Sequence, residues 1–206
     1  MRPAPEGRAL NQVAVLILAG GHGRRLGRRK ADAVLGGKTL LERAVGRARE
    51  EFDEVLISGP PSLALPGVPA VADGQADAGP LAGILAGLSA ARASAVIILP
   101  CDSPFVPAAF LRGLAGLAGR ADAVVPQING LWEPLHALYS RACIEPVARL
   151  IAAGERKISR LYDEVATLAV GHEMLAEWDP EGLAFFNINT PEELRRAEEL
   201  VARGAG

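Results

Sequence analysis

Val13-Ala14-Val15-Leu16-Ile17-Leu18-Ala19-Gly20-Gly21 is a continuous apolar run that ends in glycines. Six apolar residues without alternation suit a strand buried on both faces, and such strands belong to parallel sheets covered by helices on each side. Outward from this run the same grammar recurs. Thr39 to Glu51 places Leu40, Leu41, Ala44, Val45 and Ala48 at the spacing of an amphipathic helix. Val55-Leu56-Ile57 reads as a second strand, closed by the loop composition of Ser58-Gly59-Pro60-Pro61. Pro80 to Arg92 reads as a helix, Ala95 to Leu99 as a third strand, Pro107 to Ala118 as a helix and Ala123-Val124-Val125 as a short strand. Strands alternating with helices predict a three-layer α/β/α arrangement on a mostly parallel sheet.

Beyond about residue 125 the pattern loosens. Leu131 to Tyr139 reads as a strand bent at Pro134, Cys143 to Ala153 as a helix, and Phe185 to Ile188 as a last strand. Thr190-Pro191-Glu192-Glu193 combines an N-cap, a first-turn proline and a glutamate three residues after the cap, and so starts a helix to about Ala202. No internal repeat and no long linker interrupts the chain, so residues 1–206 are expected to form a single domain, with 1–11 as a flexible N-terminus.

Composition narrows the function. The chain has 206 residues, 50% of them apolar and 22% charged, with a formal net charge of −2, so no basic excess exists to grip nucleic acid. No apolar run is long enough to span a bilayer, and no membrane partner is expected. The two cysteines, Cys101 and Cys143, form no zinc or disulfide pattern and suit a reducing cytoplasm.

The stretch from Leu18 to Lys30 carries the chemistry. Gly20, Gly21, Gly23 and Gly27 follow the first strand, and Arg24, Arg25, Arg28, Arg29 and Lys30 put five cations within seven residues. Glycines let backbone N–H groups approach an anion, and ligands of open α/β sheets lie beyond the carboxyl ends of the strands. A solvated basic loop is the plainer alternative. Two named motifs fail here. Leu26 stands where a dinucleotide fingerprint needs its third glycine, and Asp32 stands where a P-loop ending in Gly37-Lys38-Thr39 needs its first.

Two carboxylates end strands on the same predicted edge, Asp73 after Val71-Ala72 and Asp102 in Pro100-Cys101-Asp102-Ser103-Pro104-Phe105. Magnesium takes one or two protein carboxylates with waters and substrate phosphates. Asp before proline or glycine is equally a turn device, and for Asp73 that reading is the stronger. His22, His136 and His172 lack paired ligand spacing, His172 reads as a surface residue, and Cys101 reads as a small core residue.

These residues resemble the molybdenum cofactor guanylyltransferases, within the wider nucleotidyltransferase superfamily and its Rossmann-like fold. The resemblance runs from about Val13 to Glu198. Leu18-Ala19-Gly20-Gly21 with Arg24-Arg25-Leu26-Gly27 looks like the family's loop, Lys30 falls at its triphosphate lysine, and Gly79-Pro80-Leu81-Ala82-Gly83 is similar to its base segment. The resemblance implies that Asp102 ligates magnesium and that Asp73 binds nucleotide. It places Asn187 and Asn189, in Asn187-Ile188-Asn189-Thr190-Pro191, on the acceptor side, and Gly154-Glu155-Arg156-Lys157 also fits this branch. Lys30, Asp102 and Arg24 are the implied catalytic residues. Arg29 stands where the family has Asp, and no asparagine occurs near Ser58 to Pro60.

The implied reaction takes GTP and molybdopterin, the molybdenum cofactor, to molybdopterin guanine dinucleotide with loss of pyrophosphate. Cofactor-biosynthesis or recipient proteins are the implied partners. Rival readings are a molybdopterin cytidylyltransferase, a sugar-phosphate nucleotidyltransferase, and, from another class, a non-catalytic nucleotide-binding protein. Pyrophosphate release separates the last from the others.

Overall fold

The structure is a computed structural model that describes residues 12–20, 25–72 and 79–204. Strand β1, Val13–Leu18, lies mid-sheet because both of its faces are apolar. Val13, Val15 and Ile17 enter one core cluster, and Ala14 and Leu16 enter the cluster on the opposite face. Two residue pairs form a small separate hairpin, β2 Val34–Leu35 and β3 Lys38–Thr39. The main sheet adds β4 Val55–Ser58, β5 Ala70–Val71, β6 Ala95–Pro100, β7 Ala123–Ile128, β8 Leu131–Trp132, β9 Leu138–Ser140 and β10 Thr167–Val170. Its order is β10-β7-β9-β6-β1-β4-β5, with β8 on β7.

The pairs β1–β4, β1–β6, β4–β5 and β7–β10 are parallel. β9 runs antiparallel between β6 and β7, and β8 is antiparallel to β7. The sheet is therefore mostly parallel and mixed on one side. Helices α1 Leu40–Arg49, α3 Ala108–Gly116 and α5 His172–Trp178 cover one face, while α2 Pro80–Ala90 and α4 Ile144–Ala152 cover the other. Helix α6, Pro191–Ala202, joins a third cluster around Leu26, Leu35, Phe105, Ile188 and Ala197. Capping boxes start α1 at Thr39 with Glu42 and α6 at Thr190 with Glu193. Among the described residues, no helix is long and apolar enough to cross a membrane.

Two expectations are corrected. Leu131 to Tyr139 is two short strands with a turn between them, because Pro134 has no N–H for a ladder and His136 N donates back to Glu133 O. Phe185 to Ile188 is not a strand. Its rings pack sideways, Phe185 on Phe110 and Phe186 on Phe105, and Ile188 N donates to Asp102 O at 2.9 Å. The last strand is instead β10, a short element at the sheet edge, Thr167-Leu168-Ala169-Val170, of which only Val170 is fully buried. Residues 1–11, expected to be flexible, lie outside the described residues.

Helix α2 sits close on the sheet because two of its residues are glycine. A Cβ on Gly87 would lie 2.5 Å from Leu16 Cδ2, and one on Gly83 would lie 2.9 Å from both Leu18 Cδ2 and Ser58 Oγ. Leu16 is fully buried. Gly87→Val is therefore expected to cost about 2 kcal/mol or more through overpacking, read from urea unfolding. An unchanged midpoint would show that α2 has slack against β1.

Candidate active site

The parallel strands β4, β1 and β6 end at one edge, and a cleft of about 300 Å³ opens there. Leu18 and Gly20 follow β1, Ser58 ends β4, and Pro100, Cys101 and Asp102 follow from β6. Gly79, Pro80 and Gly83 bring in the first turns of α2, and Lys30 and Leu135 complete the lining. Gly79 has φ +62°, a conformation that favours glycine, and it turns the chain into the helix.

The centre of the site is a polar junction of segments remote in sequence. Lys30 Nζ donates to Asp102 Oδ2 at 2.5 Å and to Asn189 Oδ1 at 2.5 Å. The ion pair is largely buried, with side-chain exposures of 21% for Lys30 and 11% for Asp102. Beside it Ser103 Oγ donates to Asn187 Oδ1 at 2.6 Å, and His136 Nε2 lies 2.9 Å from Ser103 Oγ. The backbone bond from Ile188 to Asp102 O fixes these segments side by side. Asp102 caps no helix. The N-cap of α3 is Pro107, without a side-chain cap bond.

The titratable neighbours are neutral. Burial, followed by the charge of Asp102, pushes the Cys101 thiol up to about 12, so it is no thiolate nucleophile. Burial pushes His136 down to about 4. Among the described residues nothing donates to Asp102 Oδ1, and Asp102 lines the cleft. Among the described residues no cluster of three His, Cys, Asp or Glu side chains exists. A single carboxylate lining the cleft suits magnesium, which takes the rest of its shell from water and phosphate oxygens.

The structure brings Leu18, Gly20, Lys30, Gly79, Pro80 and Asp102 together in the cleft. Asn187 and Asn189 join through Ser103 and Lys30. Ala19 stands behind the wall. Its methyl is in the core and its N–H donates to Ser58 O at 3.2 Å, so it offers no donor to a ligand. Gly21, Arg24 and Asp73 lie outside the described residues. Arg29, in place of the family's Asp, pairs with Asp32 at 2.7 Å on the surface. Gly154 and Glu155 line a separate shallow depression with Arg160 and Asp163. Gly36 and Gly37 turn the β2–β3 hairpin, Lys38 pairs with Leu35 in it, and His172 is exposed.

Sequence reasoning missed Ser58 and Leu135 in the lining, and Ser103 and His136 in the junction. Ser58 stands in the stretch where the family's asparagine was expected. That position was a usable signal. The pairing of Ser103 with His136 had none.

Neutral burial of His136 makes stability pH-dependent. In the unfolded chain this histidine protonates through its ordinary 6.5, whereas in the fold it does so only near 4. Its contribution is complete above pH 6.5 and is lost as pH falls towards 4. The loss is about 2 kcal/mol between pH 7 and pH 5. Urea unfolding at the two pH values, compared with His136→Gln, should show a shallower acid loss in the variant. Equal slopes would mean that His136 is protonated in the fold.

Residues 15–168 match the MobA-like NTP transferase domain. A molybdenum cofactor guanylyltransferase of Desulfosudis oleivorans is 34% identical over 199 residues, covering 95% of this chain and 98% of that one. One of Cereibacter sphaeroides is 38% identical over 197 residues, covering 92% and 97%. The solved structure of molybdopterin-guanine dinucleotide biosynthesis protein A from Archaeoglobus fulgidus superposes with a TM-score of 0.81 at 30% identity, covering 92% and 99%. With the strand-end cleft and these matches across nearly its whole length, the chain belongs to the MobA-like nucleotidyltransferases, in the branch of the molybdenum cofactor guanylyltransferases.

Proposed function

We propose that this chain transfers GMP from GTP to the terminal phosphate of molybdopterin and releases pyrophosphate. The observation that carries the reading is the meeting of Lys30 and Asp102 in a cleft at the ends of parallel strands, which Gly20 also lines. The names of the relatives point to the same acceptor and base.

The residues divide the work by position. Gly20 and the N-terminal turn of α2 line the cleft, and the positive end of a helix is a place where anions bind well. Lys30 supplies a movable cation, and its two partners hold it at the triphosphate end. Magnesium, held by Asp102 with nucleotide phosphate oxygens, would supply charge neutralisation at the α-phosphate. An oxygen of the acceptor phosphate attacks the α-phosphorus in line, the bond to the β-phosphate oxygen breaks, and pyrophosphate leaves. The acceptor phosphate is already ionised at neutral pH, so no general base is required. Neutral His136 and protonated Cys101 agree with that economy. The cytoplasmic location belongs to the same proposal, supported by two buried free thiols, Cys101 and Cys143.

Guanine is read through its N1–H, exocyclic amine and O6, which backbone groups can meet. The lining near Gly79, Pro80 and Gly83 is mostly backbone and small side chains. A site of that kind rejects a mismatched base because buried polar groups lose their partners. Turnover with GTP should exceed that with CTP, ATP or UTP by roughly tenfold or more in kcat/KM, measured as pyrophosphate release with molybdopterin as acceptor. Equal use of CTP would make the chain a cytidylyltransferase, and no pyrophosphate with any triphosphate would make it a binding protein.

A further inference from the structure

His136 is 2% exposed, its Nε2 meets Ser103 Oγ at 2.9 Å, and its Nδ1 is buried with no partner among the described residues. Ser103, also 2% exposed, meets Asn187 Oδ1 at 2.6 Å. Two proton arrangements fit this chain. In one, Nε2–H donates to Ser103, the hydroxyl donates to the Asn187 oxygen, and the orphan Nδ1 is a bare lone pair. In the other, the Asn187 amide is reversed, every donor direction is reversed with it, and the orphan is an N–H. A buried unpaired N–H is the rarer and costlier of the two, so the first arrangement holds.

The same logic fixes Asn189. The Lys30 ammonium has only donors, so it can meet only the amide oxygen. Both carboxamides thus have their oxygens engaged by protein, and among the described residues nothing accepts from either Nδ2. Ile188 between them turns into the third core cluster, which leaves both amides on the Asp102 side.

We propose that Ser103 and His136 are positioning residues that lock the Asn187 carboxamide oxygen-inward, so that Asn187 and Asn189 together present N–H donors beside Lys30 to a phosphate oxygen of a bound substrate. The proposal rests on the transferase reading above. The phosphate is either the acceptor's monoester or the nucleotide's tail, and separate Michaelis constants distinguish them.

The lock is tested without turnover by two-bond proton–nitrogen correlation on histidine-labelled protein. His136 should show a protonated Nε2 and a bare Nδ1, and the opposite tautomer overturns the proposal. Its use is tested with Asn187→Asp, which keeps an oxygen for Ser103 but turns an anionic oxygen outward. KM for one phosphate substrate should rise about tenfold or more with the other unchanged: molybdopterin if the monoester is held, GTP if the tail is. Ser103→Ala should raise the same KM by a smaller factor, with kcat little changed and the fold intact by circular dichroism. A folded Asn187→Asp with both constants at the parent's value overturns the proposal. If the parent itself gives no pyrophosphate, the transferase reading fails. The amide assignment is then decided by the tautomer and by binding of pyrophosphate to parent and Asn187→Asp, where equal affinity overturns it.

Discussion

Asp102→Asn should reduce kcat by about a thousandfold at saturating magnesium while the chain remains folded. The substitution keeps the size of the side chain and one oxygen for the Lys30 ammonium, so the junction survives in outline. It removes the negative charge of the carboxylate that faces the cleft. The stability cost is confined to leaving Lys30 without its counterion, and the 21% exposure of that side chain lets water absorb part of it. Pyrophosphate release and a thermal melt measured together separate the two effects. Turnover within about threefold of the parent would remove Asp102 from the reaction.

Lys30→Ala should lower both GTP affinity and kcat, together by about a hundredfold or more in kcat/KM, because in the proposed mechanism the same cation binds the triphosphate and follows its charge as pyrophosphate departs. It also strands Asp102, whose side chain is only 11% exposed, so a fall in thermal stability is expected as well. Lys30→Arg should not restore activity. A planar guanidinium cannot take the place of a compact ammonium that reaches Asp102 and Asn189 from one nitrogen. The outcome that defeats this view is Lys30→Ala with parental GTP affinity and rate, measured by titration calorimetry and pyrophosphate release. The doubly substituted chain should lose far less than the sum of the two, since both residues serve one junction.

What was legible in the sequence follows the physics of burial. Residues 13–18, 55–57 and 95–99 are continuous apolar runs because their strands are covered on both faces, and all three form the centre of the sheet. The Thr190–Glu193 capping box was readable because its partners are neighbours in the chain. Legibility failed where a role depends on a distant partner. Phe185 to Ile188 carries the composition of a strand, yet Ile188 spends its N–H on Asp102 and its neighbours pack as rings. His136 shows no local pattern, because Ser103 lies 33 residues away. Ala19 belongs to a phosphate-loop motif in sequence, but its N–H is already committed to Ser58. Asp102 is ambiguous between turn and site in the sequence because the side chain it pairs with, Lys30, lies 72 residues earlier.

The junction of Lys30, Asp102 and Asn189 also has a consequence for synthesis. Lys30 and Asn189 are separated by 159 positions, and α6 behind them completes the third core cluster. A nascent chain that has emerged through β6 already holds the three central parallel strands, but it lacks the segment that seats the lysine and backs the carboxylate. Contacts of such long separation close late. A stalled or truncated polypeptide would therefore carry the glycine loop and Asp102 without an assembled site. Competence would arrive only once Asn187 to Ala202 has docked, coupling the onset of activity to near-complete translation of this region.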